Sequence, residues 1–355
     1  MTPVATLPEG FELPDLAGLI AERLEAPQRF LGETEEDVAT RLGMPIVRQL
    51  TRPDSAPGGY KALRMSNLGK CARSLAYRLA GVAGKGRTID ARAKVTFAMG
   101  DTAESLVLAA LADALSMGLG PEGARLGGLR QETGQGVAVL RHHLPGLRMP
   151  VEVVGHPDGF IVVPFSRACD DGTSYPTEVA LLVEVKSTSS YGYDKAVEAL
   201  RAGRSPWGPS ETYWWQGQGY LRALGVPALG VVLLGKDSGA ITSWWEVPDP
   251  HFDDLLSDHL TRVLFGGAPE HAPRMLGDGT LLEPAEQEVY RRSGTRKNGT
   301  TYTKGEPKGR SGKLPWQCTY CDHWQVCWGD EVESRVDKDW RGRPSRSLYY
   351  VGQRG

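Results

Sequence analysis

The stretch that decides the reading runs Gly155-His156-Pro157-Asp158-Gly159, then Phe160-Ile161-Val162-Val163, a polar loop, and Val179-Ala180-Leu181-Leu182-Val183-Glu184-Val185-Lys186. The run from Val179 to Val183 is β-branched and leucine-rich and has the length of a strand, which predicts a strand covered on both faces. Side chains alternate along a strand, so Glu184 and Lys186 project from one face and Val185 from the other. A carboxylate and an ammonium at the end of a buried strand require a reason. One is phosphodiester hydrolysis: Asp158 and Glu184 supply oxygens for hard divalent cations that activate a water, and Lys186 orients that water or stabilises the charge growing on phosphorus. The plain alternative is an ion pair capping a strand end, since an isolated Glu-x-Lys is common.

Two more segments bear on this choice. A helix predicted over Ala91 to Leu115 carries Gly100-Asp101-Thr102-Ala103-Glu104, in which Glu104 is a candidate hard-metal ligand and Asp101 a rival one turn earlier. Downstream, Tyr213-Trp214-Trp215-Gln216-Gly217-Gln218-Gly219-Tyr220 puts Gln216 and Tyr220 four apart, on one face of a helix. Two glycines inside that helix cost about 1 kcal/mol each relative to alanine, so something approaches its backbone closely.

Pro157-Asp158 followed by Glu184-Val185-Lys186 resembles the PD-(D/E)xK nuclease superfamily, and the Gln-x-x-x-Tyr pair resembles its RecB-like branch. The resemblance implies an α/β fold, a mixed central sheet flanked by helices with the metal site at its edge. It implies magnesium or manganese held by Asp158, Glu184, Glu104 and the carbonyl of Val185, with Lys186 assisting the water and Gln216 and Tyr220 positioning the DNA strand. Where the branch presents Gly-x-x-x-His, this chain has Glu104, a departure that a carboxylate ligand accommodates.

The chain has 355 residues, enough for one large domain or two ordinary ones, and a net charge of -2, which excludes a globally basic nucleic-acid coat. Contact with DNA therefore needs a local patch. From Arg291 to Lys313 eight basic residues accompany one acid, Glu306, and Arg296, Lys297, Lys308 and Arg310 become the candidate phosphate contacts; the bland reading is a solvated linker. No leader and no run of eighteen apolar residues stands out, so the expectation is a cytoplasmic protein with no membrane partner. Residues 1–60 read as an appendage, with short helices over Leu16 to Leu24 and Thr34 to Leu42. Residues 61–330 read as the core and 331–355 as a tail. Further helices are predicted from Ser66 to Gly81, which puts Cys71 on a helix, and from Pro284 to Arg291; Phe165 to Thr177 reads as a loop and Val226–Leu234 with Ile241–Val247 as a hairpin.

Five cysteines, odd in number and clustered toward the C-terminus, fit a metal site in a reducing compartment better than a disulfide framework. Cys318, Cys321 and Cys327 form a C-x2-C-x5-C array that needs a fourth ligand. Zinc could take His323, whereas an iron-sulfur cube would prefer the distant Cys71; Cys169 reads as an ordinary thiol. One cysteine before the nuclease motifs and this array after them resemble the iron-sulfur staple of CRISPR-associated RecB-like exonucleases and of the AddB nuclease domain, which implies a 4Fe-4S cluster joining the chain ends. Family analogy favours a single-stranded or end-directed DNA exonuclease of recombination, repair, phage DNA metabolism or CRISPR adaptation, with a recombinase, helicase or adaptation protein as possible partner. The competing class is a catalytically quiet DNA-holding subunit.

Overall fold

The computed structural model describes residues 6–25, 63–84, 91–127, 130–131, 134–135, 137–168, 174–209, 211–283, 285–288, 294–295, 301–302, 310–319, 321–338 and 344–350. In chain order its elements open with helix α1 (Leu16–Glu25), strand β1 (Leu63–Arg64), helices α2 (Ala72–Leu79) and α3 (Ala91–Ser116), and strands β2 (Arg125–Gly127), β3 (Ala138–His142) and β4 (Val151–Gly155). Strands β5 (Gly159–Ala168) and β6 (Ser174–Thr188), helices α4 (Ser190–Arg201) and α5 (Thr212–Leu224), strands β7 (Leu229–Gly235) and β8 (Ile241–Glu246) and helix α6 (Phe252–Leu264) follow. The remainder holds β9 (Ala285–Glu288), β10 (Arg310–Lys313), α7 (Trp316–Thr319), α8 (Trp324–Trp328), β11 (Val332–Lys338) and β12 (Pro344–Tyr350). The chain divides into two compact units, one of Met1–Asp54, Ala62–Leu68 and Thr88–Ser257, the other of Ser55–Lys61, Gly69–Arg87 and Asp258–Gly355.

The first unit is a mixed α/β body built on a five-stranded sheet of order β8-β7-β6-β5-β2, beside a three-stranded sheet β1-β4-β3. Strand β6 pairs antiparallel with β5 and parallel with β7. A parallel pair cannot be closed by a tight turn, and here the chain crosses over through α4 and α5. Leu181, Leu182 and Val183 are completely buried, as an apolar run with no polar alternation requires. The odd-numbered residues Val179, Leu181, Val183 and Val185 join the core that also holds Val107, Leu111 and Leu115 of α3 and Leu16, Leu19 and Ile20 of α1. The opposite face of β6 carries Leu182 and then, at the strand's end, Glu184 and Lys186. Among the described residues one segment, Lys94–Ser116, is long and apolar enough to cross a membrane, and its apolar positions Val107, Ala110, Leu111, Ala114 and Leu115 are packed in this core.

Three local expectations change. The segment Phe165 to Thr177 is a shorter loop than expected, because β5 and β6 continue their ladder out to Ala168 opposite Ser174. The helix expected from Ser66 is split. A 3-10 turn covers Met65–Asn67, Gly69 takes φ +77°, which breaks the helical path, and α2 starts only at Ala72, so that Cys71 stands at its N-terminal boundary. The helix expected over Pro284 to Arg291 is absent: Ala285–Glu288 is a strand paired antiparallel with Arg310–Lys313. A lone eight-residue helix is marginal in water, and a returning strand satisfies the same backbone groups.

In the second unit the sheet runs β9-β10-β12-β11. Its core gathers Leu276, Leu282, Leu314, Cys318, Trp324, Trp328, Val332 and Leu348, with Cys71, Cys321 and Cys327 against it. Gly294–Thr295 pairs with Thr301–Tyr302, so the described parts of the basic segment are laddered backbone. Arg296, Lys297 and Lys308 lie outside the described residues, as do Cys169 and the helix expected over Thr34 to Leu42.

Candidate active site

Gly159 faces Val183 across the β5–β6 ladder, which sets Asp158, at the entry to β5, beside Glu184. Asp158 Oδ2 accepts the backbone N–H of Val185 at 2.8 Å, tying the Pro-Asp-Gly turn to the end of β6. Glu184 is 2 % exposed. Its Oε1 accepts from Lys186 Nζ and from Gln216 Nε2, the latter at 2.8 Å, while Oε2 is buried without a hydrogen-bond partner. Gln216 Nε2 also lies 3.3 Å from Tyr220 Oη, so the i, i+4 pair on α5 reaches the carboxylate as one unit. Both residues are buried, and what they position is Glu184. The Lys186 ammonium sits 5.4 Å from the ring centroid of Tyr213.

The two glycines of α5 have a packing cause. A Cβ at Gly217 would meet Leu229 at 2.7 Å and one at Gly219 would meet Met65 at the same distance, so their absence lets the helix lie directly on β7 and on the turn after β1. That close approach carries Gln216 down to the strand end.

The electrostatics are those of a buried acidic cluster only partly offset by Lys186. Burial raises the pKa of Glu184, the Asp158 charge adds to the rise and Glu104 contributes further, against the stabilising effect of Lys186. For Lys186, burial works to lower the pKa, but Glu184 and Asp158 outweigh it and hold the ammonium charged. Burial and the neighbouring Glu184 charge raise Tyr220, which keeps its phenol protonated. Glu104 is half-buried on α3 and enters the site through its field on Glu184. Among the described residues no three His, Cys, Asp or Glu side chains form a finished metal cage. A buried, orphaned carboxylate oxygen with two further carboxylates in electrostatic range is nonetheless a donor set that a hard cation fits.

The second unit holds the other expected constellation by itself. Cys71, Cys318, Cys321 and Cys327 line one pocket together with Ser74, Tyr77, Arg274, His323 and Trp328. Burial pushes the Cys71 thiol up to about 11 and the Cys318 thiol to about 12, with the neighbouring cysteines adding to both. Burial raises Cys321 as well; clustered thiols of this kind become thiolates most readily when a metal charge offsets their repulsion, and sulfur suits a soft metal. His323 is placed as a support. Its Nε2 donates to the Val82 carbonyl at 3.2 Å, its Nδ1 faces Ser74 Oγ at 3.4 Å, and the Cys321 thiol donates to that same Ser74 oxygen at 3.3 Å. Both ring nitrogens are thus engaged away from the sulfurs. Sequence reading missed Arg274, whose Nε donates to Cys327 Sγ at 3.3 Å while its guanidinium stacks 3.5 Å from the Trp328 centroid; nothing in the local sequence around Arg274 signals this.

No protein-family model and no curated protein matches the chain. Among solved structures it is similar to SSO0001, at 12% identity over 82% of this chain and 95% of that one, with a TM-score of 0.33. It is also similar to LHK-Exo in complex with dAMP, at 18% identity over 65% of this chain and 91% of that one, TM-score 0.30. A second structure of that alkaline exonuclease, from Laribacter hongkongensis, gives 12% identity over 58% of this chain and 87% of that one, TM-score 0.24. Similarity at this level leaves the site to be read from its own geometry.

Proposed function

We propose that this protein is a divalent-metal-dependent deoxyribonuclease of the PD-(D/E)xK type, acting as an exonuclease on single-stranded DNA. The observation that carries the reading is Glu184: buried at the end of β6, bonded through Oε1 to Lys186 and Gln216, orphaned at Oε2, and flanked by Asp158 and Glu104. Asp158, Glu184 and Glu104, with the carbonyl of Val185, would hold the ion. A magnesium or manganese ion bound there supplies a polarised phosphoryl oxygen and a water acidic enough to attack at neutral pH. Gln216 fixes the rotamer of Glu184, and Tyr220 stays protonated against it. Lys186 is held charged by Glu184 and Asp158, so it would act as a fixed cation toward the scissile phosphate.

We extend the proposal to the second unit, where Cys71, Cys318, Cys321 and Cys327 would ligate a 4Fe-4S cluster with a structural role. Support comes from the four-sulfur lining of one pocket and from the engagement of both His323 nitrogens elsewhere. A quiet DNA-holding subunit is the second reading, favoured by the commitment of Asp158 Oδ2 to the Val185 amide. Incubating anaerobically purified protein with end-labelled single- and double-stranded DNA, with and without manganese, separates the two. Metal-dependent release of label from the single strand is expected. Retained DNA binding with no cleavage under any metal would leave the quiet subunit.

A further inference from the structure

Lys236 stands one residue beyond the parallel ladder of β6 and β7, its backbone N–H donating to the Thr188 carbonyl at 2.8 Å. Its ammonium is half-buried and donates to the Thr96 carbonyl of α3 at 3.5 Å. Asp101 lies in its field. Ser187, the residue after Lys186, turns its hydroxyl to the same place, and among the described residues that hydroxyl has no hydrogen-bond partner. What joins the two groups is Gly100. A Cβ built there would lie 3.6 Å from Ser187 Oγ and 4.0 Å from Lys236 Nζ, so the missing side chain opens a hollow that both border, one helical turn before Glu104.

An ammonium partly withdrawn from water is destabilised by that burial and gains when an anion arrives. Ammonium and hydroxyl together make a donor set for phosphate oxygens. Lys186 is bonded to Glu184, so its charge is committed to the reacting centre, whereas Lys236 is placed to take a second phosphate. We infer that the Gly100 hollow is a subsite for a phosphate flanking the scissile one on a nucleic-acid strand, held by Lys236 Nζ and Ser187 Oγ. The inference rests on the nuclease reading for the word scissile, and on this geometry for the rest.

The test is binding of a fluorescent single-stranded oligonucleotide in calcium, comparing an all-phosphate strand with strands carrying one uncharged methylphosphonate linkage at successive positions. Lys236→Gln weakens binding of the all-phosphate strand by about tenfold, Ser187→Ala by about threefold, and Lys236→Arg restores most of the loss. One methylphosphonate position costs the wild-type protein the same factor and costs Lys236→Gln nothing further, as a shared contact demands. Equal penalties at every position, or unchanged affinity in Lys236→Gln, overturns the subsite. Cleavage assays on the same strands keep the two readings apart. A wild-type protein that shows the linkage-specific coupling but never cleaves defeats the nuclease and spares the subsite; one that cleaves without the coupling does the reverse. A protein that neither binds nor cleaves defeats both.

Discussion

At the end of β6 the chain supplies its own counter-ion: Lys186 donates to Glu184, and a single oxygen, Oε2, is left without a partner. In the cysteine pocket of the other unit four thiols meet, Cys318 buried and the other three half-buried, with Arg274 donating to Cys327. The first arrangement is bonded within the chain alone, so on the proposed nuclease reading a hard cation would join a site already in place. The second has little of its own to offset four thiolates, so on the proposed cluster reading its unit and its metal would assemble together. Like-charged ligands thus teach different things according to what the chain provides to offset them.

The sharpest way to break this contrast is Lys186→Ala. Cleavage is expected to fall by about a thousandfold, the scale of removing one preorganised charge from a transition state. The side chain is only 19% exposed and is bonded to a buried carboxylate, so its removal also lowers the melting temperature of metal-free protein. Manganese should restore much of that loss by binding the stranded carboxylate. Activity near wild type in this variant, measured on end-labelled single strands, ends the assignment of Lys186.

Next in size is Cys71→Ala. Tying Cys71 to Cys318, Cys321 and Cys327 would close a very long loop, and on the chain-entropy estimate its release costs about 5 kcal/mol. The expected product is colourless and poorly soluble, whereas Cys169→Ala stays brown and His323→Ala keeps its visible absorption band. Zinc as the sole metal in anaerobically prepared protein would replace the cluster by a four-thiolate zinc site.

The smallest effect is in acid and falls on the second unit. Burial pushes His259 down to about 4 from 6.5, so the folded protein holds it neutral. The unfolded chain therefore binds the extra proton first, and the stability present above pH 6.5 is lost progressively as pH falls toward 4, reaching roughly 3 kcal/mol. Glu184 has the opposite sign, because its raised pKa means that acid relieves repulsion there. Urea titrations at pH 7 and pH 5 should show this loss in wild type and a flatter profile in His259→Leu; parallel profiles in both proteins would remove His259 as the cause.

Period-two and period-3.6 patterns sufficed for β6, for α3 and for the pairing of Gln216 with Tyr220, because those signals are local. The strand at Ala285–Glu288 was illegible, since its partner Arg310–Lys313 lies across the basic segment and no local preference encodes a distant pairing. Lys236 was read as part of a hairpin turn. Its position against Gly100 depends on how α3 crosses the strand ends, which spacing does not contain. That Lys186 is largely covered was illegible for a similar reason: a sequence shows that Glu184 and Lys186 share a face, and not that α5 descends onto it.

The second unit is assembled from chain around Cys71 and chain beyond Asp258, with the whole of the first unit's sheet encoded between them. During synthesis Cys71 leaves the ribosome about 250 residues before Cys327, which at typical elongation rates is a wait of roughly 12 to 50 s. Throughout that interval it is an unpaired thiol on a nascent chain whose neighbouring unit can already be folding. If the four thiols take a metal, its loading would be the closing step of biogenesis, and a chain truncated short of Cys318 would carry its carboxylate site complete and its thiol site never begun.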